Sequence, residues 1–131
     1  MTKTVVDCGN CGPDFHSIRQ FVTSNFDAVV VQSHDADETL RLLRERDVAL
    51  VTVNRKLDRD YTDGMEVVKV IKSDDEFCQT PVMLVTNYEE HQQSAMEAGC
   101  VRGFGKLSLR DPQTVDLLQP FLGSAGGHQP N

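Results

Sequence analysis

Four polar side chains stand where apolar runs of the chain end: Asp7 after Val5-Val6, Asn54 after Ala49-Leu50-Val51-Thr52-Val53, Thr86 after Val82-Met83-Leu84-Val85, and Lys106 just past Val101–Phe104. A carboxylate, an amide, a hydroxyl and an ammonium gathered at strand ends could hold a charged ligand, because sheets of this kind bind ligands beyond the carboxyl ends of their strands. A second constellation is Cys8-Gly9-Asn10-Cys11, a CxxC where a strand passes into a helix. A helix N-terminus lowers a thiol pKa, so this spacing suits thiol–disulfide exchange. A third set, Cys8, Cys11 and His16, offers three zinc ligands, but no second CxxC or His pair completes a tetrahedron.

Five strand–helix alternations must position these groups. Strands are expected at about Lys3–Asp7, Ala28–Val31, Val48–Val53, Pro81–Val85 and Val101–Phe104. The second, third and fourth are nearly unbroken aliphatic runs, the mark of strands covered by helices on both faces. Helix one opens near Pro13, a favoured first position, and carries Phe15, Ile18, Phe21 and Val22 on one face. Helix two follows Ser33 as N-cap and buries Ala36, Leu40 and Leu43. Helix three starts near Gly64 with Met65, Val68 and Ile71 on one face. Helix four runs from about Glu89 to Ala98 and stops at Gly99. Helix five begins at Pro112 after Asp111, and Pro120 should end or bend it. The expected organisation is one domain over residues 1–122 and a disordered tail over 123–131, with an α/β, three-layer, doubly wound parallel sheet of five strands.

The chain has 131 residues, with 20 acidic against 13 basic side chains and a net charge of −7. That balance argues against nucleic acid, whose backbone requires clustered Lys and Arg. No run approaches a membrane span and no signal peptide is visible, so a cytoplasmic protein is expected. Without a secretory signal a disulfide framework is not expected either, and Cys78 and Cys100 read as core or near-core residues.

In order and spacing, Val5-Val6-Asp7, Asp63-Gly64-Met65-Glu66-Val67, Thr80-Pro81-Val82-Met83-Leu84-Val85-Thr86, Ala98-Gly99-Cys100 and Gly103-Phe104-Gly105-Lys106 resemble the receiver domain of two-component response regulators. The resemblance covers about residues 3 to 121 and implies the flavodoxin-like, receiver-type strand order 2-1-3-4-5. In that family an acidic pair after strand one holds Mg²⁺, an aspartate ending strand three accepts a phosphoryl group, and a Thr or Ser and a Lys bind its oxygens. Metal and lysine neutralise charge that develops as the carboxylate attacks in line.

The match is partial. Asp7, Thr86 and Lys106 correspond, Cys8 replaces the second acid, and Asn54 replaces the acceptor. A shifted register, suggested by Asp47, would put Thr52 at the acceptor position, which also lacks a carboxylate. Asp14 is a poorly placed second acid. One carboxylate makes a weak Mg²⁺ site, so Asp7 is at most a weak metal ligand and no cofactor is expected. Lys106 is expected to pair with Asp7 or bond Asn54, and Thr86 to bond a backbone group. The loops Cys8–Pro13 and Asn54–Gly64 look extended. Leu107 stands where the family usually has a cis-proline, and Phe104 lies one residue nearer the lysine than the family's switch aromatic does.

These departures imply a stand-alone pseudo-receiver in two-component or phosphorelay signalling. It would not be an enzyme, and would act by contact with a protein such as a histidine kinase, or as a homodimer. The resemblance places the partner face on Tyr88, Glu89, His91, Gln92 and Phe104. Two alternatives stay open. One is a thioredoxin- or glutaredoxin-like redox protein using Cys8 and Cys11, with Thr80-Pro81-Val82 resembling the loop before a strand in that fold. The other is a receiver phosphorylated at a displaced acceptor, Asp58, Asp60 or Asp63.

Overall fold

Residues 2–123 are described by a computed structural model, so all of the expected tail beyond Gly123 lies outside the described residues. The elements are β1 (Lys3–Cys8), α1 (Gly12–Asn25), β2 (Ala28–Ser33), α2 (Ala36–Glu45), β3 (Leu50–Asn54), α3 (Gly64–Ser73), β4 (Val82–Val85), α4 (Glu89–Glu97) and α5 (Pro112–Leu122), with a 3₁₀ turn at Lys106–Ser108. The four strands are parallel in the order β2-β1-β3-β4.

Alternation along the strands builds two cores. Val5, Leu50, Met83 and Val85 pack with Ile18, Phe21 and Leu118 from α1 and α5. Val6, Val51, Val53 and Leu84 pack with Val67, Val68, Ile71 and Ala95 from α3 and α4. Fully burying one such aliphatic side chain contributes about 2 kcal/mol, so each layer is held by many comparable terms. No helix among the described residues is long and apolar enough to cross a membrane.

Local chemistry sets most boundaries. Pro13 and Pro112 sit in the first turns of α1 and α5. The Asp63 carboxylate accepts the Met65 N–H at 2.9 Å and caps α3. Gly99, at φ +105°, takes the chain out of α4. The cap of α2 is Asp35, which accepts the Glu38 N–H at 2.8 Å; Ser33 is instead the last residue of β2, and its hydroxyl bonds Thr39 Oγ1 at 2.7 Å. Pro120 does not end α5, which continues to Leu122. It stands in the last turn, where its missing N–H removes one ladder bond, and the Gly123 N–H still reaches Gln119 O at 2.9 Å.

The expected fifth strand is the main correction to the fold. Beyond β4 the chain makes a single parallel bridge, Met83 to Val101, with Val101 N–H on Val82 O at 3.0 Å. In a continuing parallel ladder the Gly103 N–H would next reach Leu84 O. The Gln92 side chain intervenes. Its Oε1 accepts the Gly103 N–H at 2.9 Å, while its Nε2 donates to Leu84 O at 3.0 Å and Thr86 O at 3.3 Å. The segment then slips, and the Thr86 N–H bonds Phe104 O at 3.0 Å.

Candidate functional site

The carboxyl end of the sheet carries the predicted residues. Asn54 is the last residue of β3, whereas Thr52 lies inside the strand, buried and opposite Asp7. The strand end therefore belongs to Asn54 and not to the shifted register. Its Nδ2 donates to Lys56 O at 2.6 Å and lies 3.5 Å from Gly9 O.

Gly9 is the hinge between the two extended loops. Its φ of +84° suits glycine, and a Cβ there would fall 2.5 Å from the Leu57 side chain. Gly9 O also accepts the Asp58 N–H at 2.8 Å, and the 54–64 loop closes on itself through an antiparallel bridge between Lys56 and Asp63. The extra residues of each loop thus pack on the other and hold Asn54 between them.

Asp7 is fully buried. Its Oδ1 accepts Thr52 Oγ1 at 2.7 Å and Asn10 Nδ2 at 2.9 Å. Its Oδ2 and Asn10 Oδ1 are buried with no hydrogen-bond partner. Burial pushes the Asp7 carboxyl up to about 6, against the lowering effect of Thr52, Asn10 and the Lys106 charge.

Lys106 meets neither Asp7 nor Asn54 by hydrogen bond. Its Nζ donates to Asp14 Oδ2 at 2.8 Å, which corrects the expected pairing and holds the Asp14 carboxyl below its usual range. The physical reason is access: Asp14, in the first turn of α1, is partly exposed, while the Asp7 oxygens are enclosed. Thr86 Oγ1 accepts the Tyr88 N–H at 3.3 Å, the backbone partner expected of it, and lies 3.1 Å from His91 Nδ1.

These residues do not fit a Mg²⁺ ion. Asp7 is the only acid at the end of β1, and Asp14 is held by Lys106. Cys8 belongs to the opposite core, with its thiol against Asp35 O at 3.8 Å. No group of three His, Cys, Asp or Glu that could hold a metal occurs among the described residues, and a hard dication needs several charged oxygens.

The same geometry tests the alternatives. Cys8 is fully buried and burial raises its thiol pKa, the reverse of what a redox nucleophile needs. All four cysteines are free. Cys100 is buried and Cys78 is half-buried, in keeping with core and near-core places. His16 is exposed and bonds Arg19 at 3.2 Å. Asp58, Asp60 and Asp63 lie on the exposed loop, and none lines the cleft that contains Thr86 and Lys106.

Two members of the expected partner face are corrected. Gln92 is buried because its carboxamide replaces the missing ladder, and Phe104 is buried in the α1/α5 core. Tyr88 and Glu89 are exposed, and His91 is half-buried edge-on to the Tyr88 ring. Arg102 grips both Glu89 carboxylate oxygens at 2.7 and 2.8 Å and holds that carboxyl down to about 2.

A cleft of about 350 Å³ opens beside Asn54, lined also by Arg55, Lys56, Val85, Thr86, Asn87, Tyr88, His91 and Lys106. Sequence reasoning missed Asn10, Arg55, Lys56 and Asn87. The extended loops were the signal for the first three, and the position after Thr86 was the signal for Asn87.

No family model and no curated protein matches this sequence. Solved structures do match its fold. A chain from Chloroflexus aurantiacus described as a response regulator superimposes with a TM-score of 0.78 at 14% identity, over 93% of this chain and 98% of that one. The signal receiver domain of a DNA-binding response regulator from Colwellia psychrerythraea gives 0.74 at 16% identity, over 90% and 96%. NtrX from Brucella abortus gives 0.69 at 18% identity over 92% of this chain, which spans 29% of the NtrX chain.

Proposed function

From a chain that has the fold of response-regulator receiver domains, we propose a signalling module whose input is not phosphorylation at the end of β3. The observation that carries this reading is Asn54 itself. It ends β3, the position that the resemblance to receiver domains gives to the acceptor, and its amide is tied to Lys56 O. An amide oxygen is not the nucleophile that in-line phosphoryl transfer requires. The seating of Lys106 on Asp14 and the place of Cys8 in the core support the same reading, since neither leaves a second free acid for a cation at Asp7.

The module acts through contact with another protein and catalyses nothing itself. Tyr88, Glu89 and His91 remain on the face proposed for that contact, joined by Leu107, which is 88% exposed. An aromatic and an aliphatic anchor with a charged rim suit a protein surface, either a signalling partner or a second copy of the chain.

The test is intact mass after incubation with acetyl phosphate and Mg²⁺, beside an Asn54→Asp variant. The native protein gains no phosphoryl group. A gain by the variant alone identifies Asn54 as the lost acceptor. A gain by the native protein overturns the reading, and the modified residue names the true acceptor.

A further inference from the structure

The cleft beside Asn54 is unusual in its charge. The chain as a whole is acidic, at −7, yet the cleft is lined by Arg55, Lys56 and Lys106 and by no Asp or Glu. Two of these cations are shared with acids outside the lining. Lys106 bonds Asp14 at 2.8 Å, and Arg55 stands 4.0 Å from Asp63. Lys56 takes part in none of the ion pairs found among the described residues.

A neutral donor is fixed among them. Asn87 Oδ1 accepts the Leu107 N–H at 3.1 Å, and a Cβ on Gly105 would fall 2.0 Å from that same oxygen, so only glycine lets the carboxamide sit there. With Oδ1 engaged, the Asn87 Nδ2 group is left as a donor without a protein acceptor among the described residues. The wall is apolar and aromatic, formed by Val85, Tyr88 and His91, and Tyr88 is 62% exposed.

We infer that this cleft binds, without covalent attachment, a small organic oxyanion. Its phosphate or carboxylate group lies against Lys56, Arg55 and Asn87, and a flat apolar body lies against Tyr88. Size separates this ligand from a bare phosphoryl group. The cleft of about 350 Å³ matches the smaller ligand pockets, which begin near roughly 300 Å³. Charge-assisted bonds to an oxyanion supply orientation, and the aromatic wall supplies apolar burial. The inference deepens the proposed function, since a free ligand would supply the input that Asn54 cannot receive covalently, and it rests on that reading only for this role.

The test is titration of the full chain with phenyl phosphate, benzoate, inorganic phosphate and benzylamine, with no phosphodonor present. Binding is followed by calorimetry and by the backbone amide signals of Asn87 and Lys56. Saturable binding of phenyl phosphate or benzoate, tighter than inorganic phosphate and absent for benzylamine, supports the site; the better of the two anions identifies the acid class. Lys56→Ala should weaken that binding by up to about fivefold, as expected for losing one exposed charge contact, while Lys69→Ala on α3 leaves it unchanged. Tyr88→Ala should weaken phenyl phosphate and spare inorganic phosphate.

Failure of every anion to saturate, equal binding of benzylamine, or equal losses in Lys56→Ala and Lys69→Ala would overturn the inference. Equal affinity for phenyl phosphate and inorganic phosphate would overturn its organic body. None of these results bears on whether Asn54 accepts a phosphoryl group, so the two readings fail separately.

Discussion

Asn10 Nδ2 donates to Asp7 Oδ1 at 2.9 Å, and the remaining side-chain oxygen of each residue is buried without a partner. Buried acceptors with no donor carry a desolvation cost, and for Asp7 that cost is larger in the ionised form. Thr52 supplies the other bond to Oδ1, so the ionised carboxylate is incompletely compensated. Burial therefore outweighs the bonds from Thr52 and Asn10 and the Lys106 charge, and raises the Asp7 carboxyl to about 6.

A pH dependence follows with a definite sign. Between the ordinary carboxylate value of 3.8 and about 6, the folded state holds a proton on Asp7 that the unfolded chain has released. Stability from this group is fully present below 3.8 and is lost as pH rises through about 6, by roughly 3 kcal/mol in all. Urea unfolding at a series of pH values should therefore show a falling contribution that Asp7→Asn removes. The variant should equal or exceed the native protein in stability at pH 7. A clear loss there would mean that the buried charge is compensated.

Replacing Gln92 by Ala should destabilise the domain by about 3 kcal/mol, since three buried hydrogen bonds disappear and the Gly103 N–H and Leu84 O are left unsatisfied. Hydrogen exchange should accelerate most at Gly103. Gly103→Ala should disturb the same place by sterics, because its Cβ would fall 2.3 Å from Leu84 O. Uniform acceleration over the whole sheet would show that Gln92 is not a local clamp.

The Lys106–Asp14 pair should contribute little. Both side chains are a third or more exposed, at 34% and 40%, so a double-mutant cycle should return a coupling below about 1 kcal/mol that shrinks with salt. Asp14 titrates with the sign opposite to Asp7. Its carboxyl is held low by Lys106, so the stability it contributes is present above its ordinary value and lost as pH falls.

Thiol reactivity should divide the four cysteines in two. Cys11 and Cys78 are partly exposed and should label in the folded protein. Cys8 and Cys100 are buried with raised thiol pKa values, that of Cys100 to about 11, and should label only on unfolding. Mass spectrometry after limited alkylation distinguishes them. Fast modification of Cys8 would revive a redox role for the CxxC.

Residues adjacent in sequence were enough to locate most elements. The aliphatic runs at Ala28–Val31, Val48–Val53 and Pro81–Val85, the prolines opening α1 and α5, and Gly99 after α4 each act through local sterics, so strand order along the chain and the placement of Asn54 and Thr86 at strand ends were legible. The identity of Asn54 is likewise a property of the sequence. Which groups meet was not. Asp7 with Asn10 and Thr52, Lys106 with Asp14 rather than Asp7, and Gln92 inside the sheet edge are choices among partners of similar local propensity, decided by how two long loops and the slipped segment at Gly103 pack in three dimensions. Phe104, a candidate for the partner face, lies in the core for the same reason: a one-residue slip in a period-two pattern reverses the face on which a side chain stands.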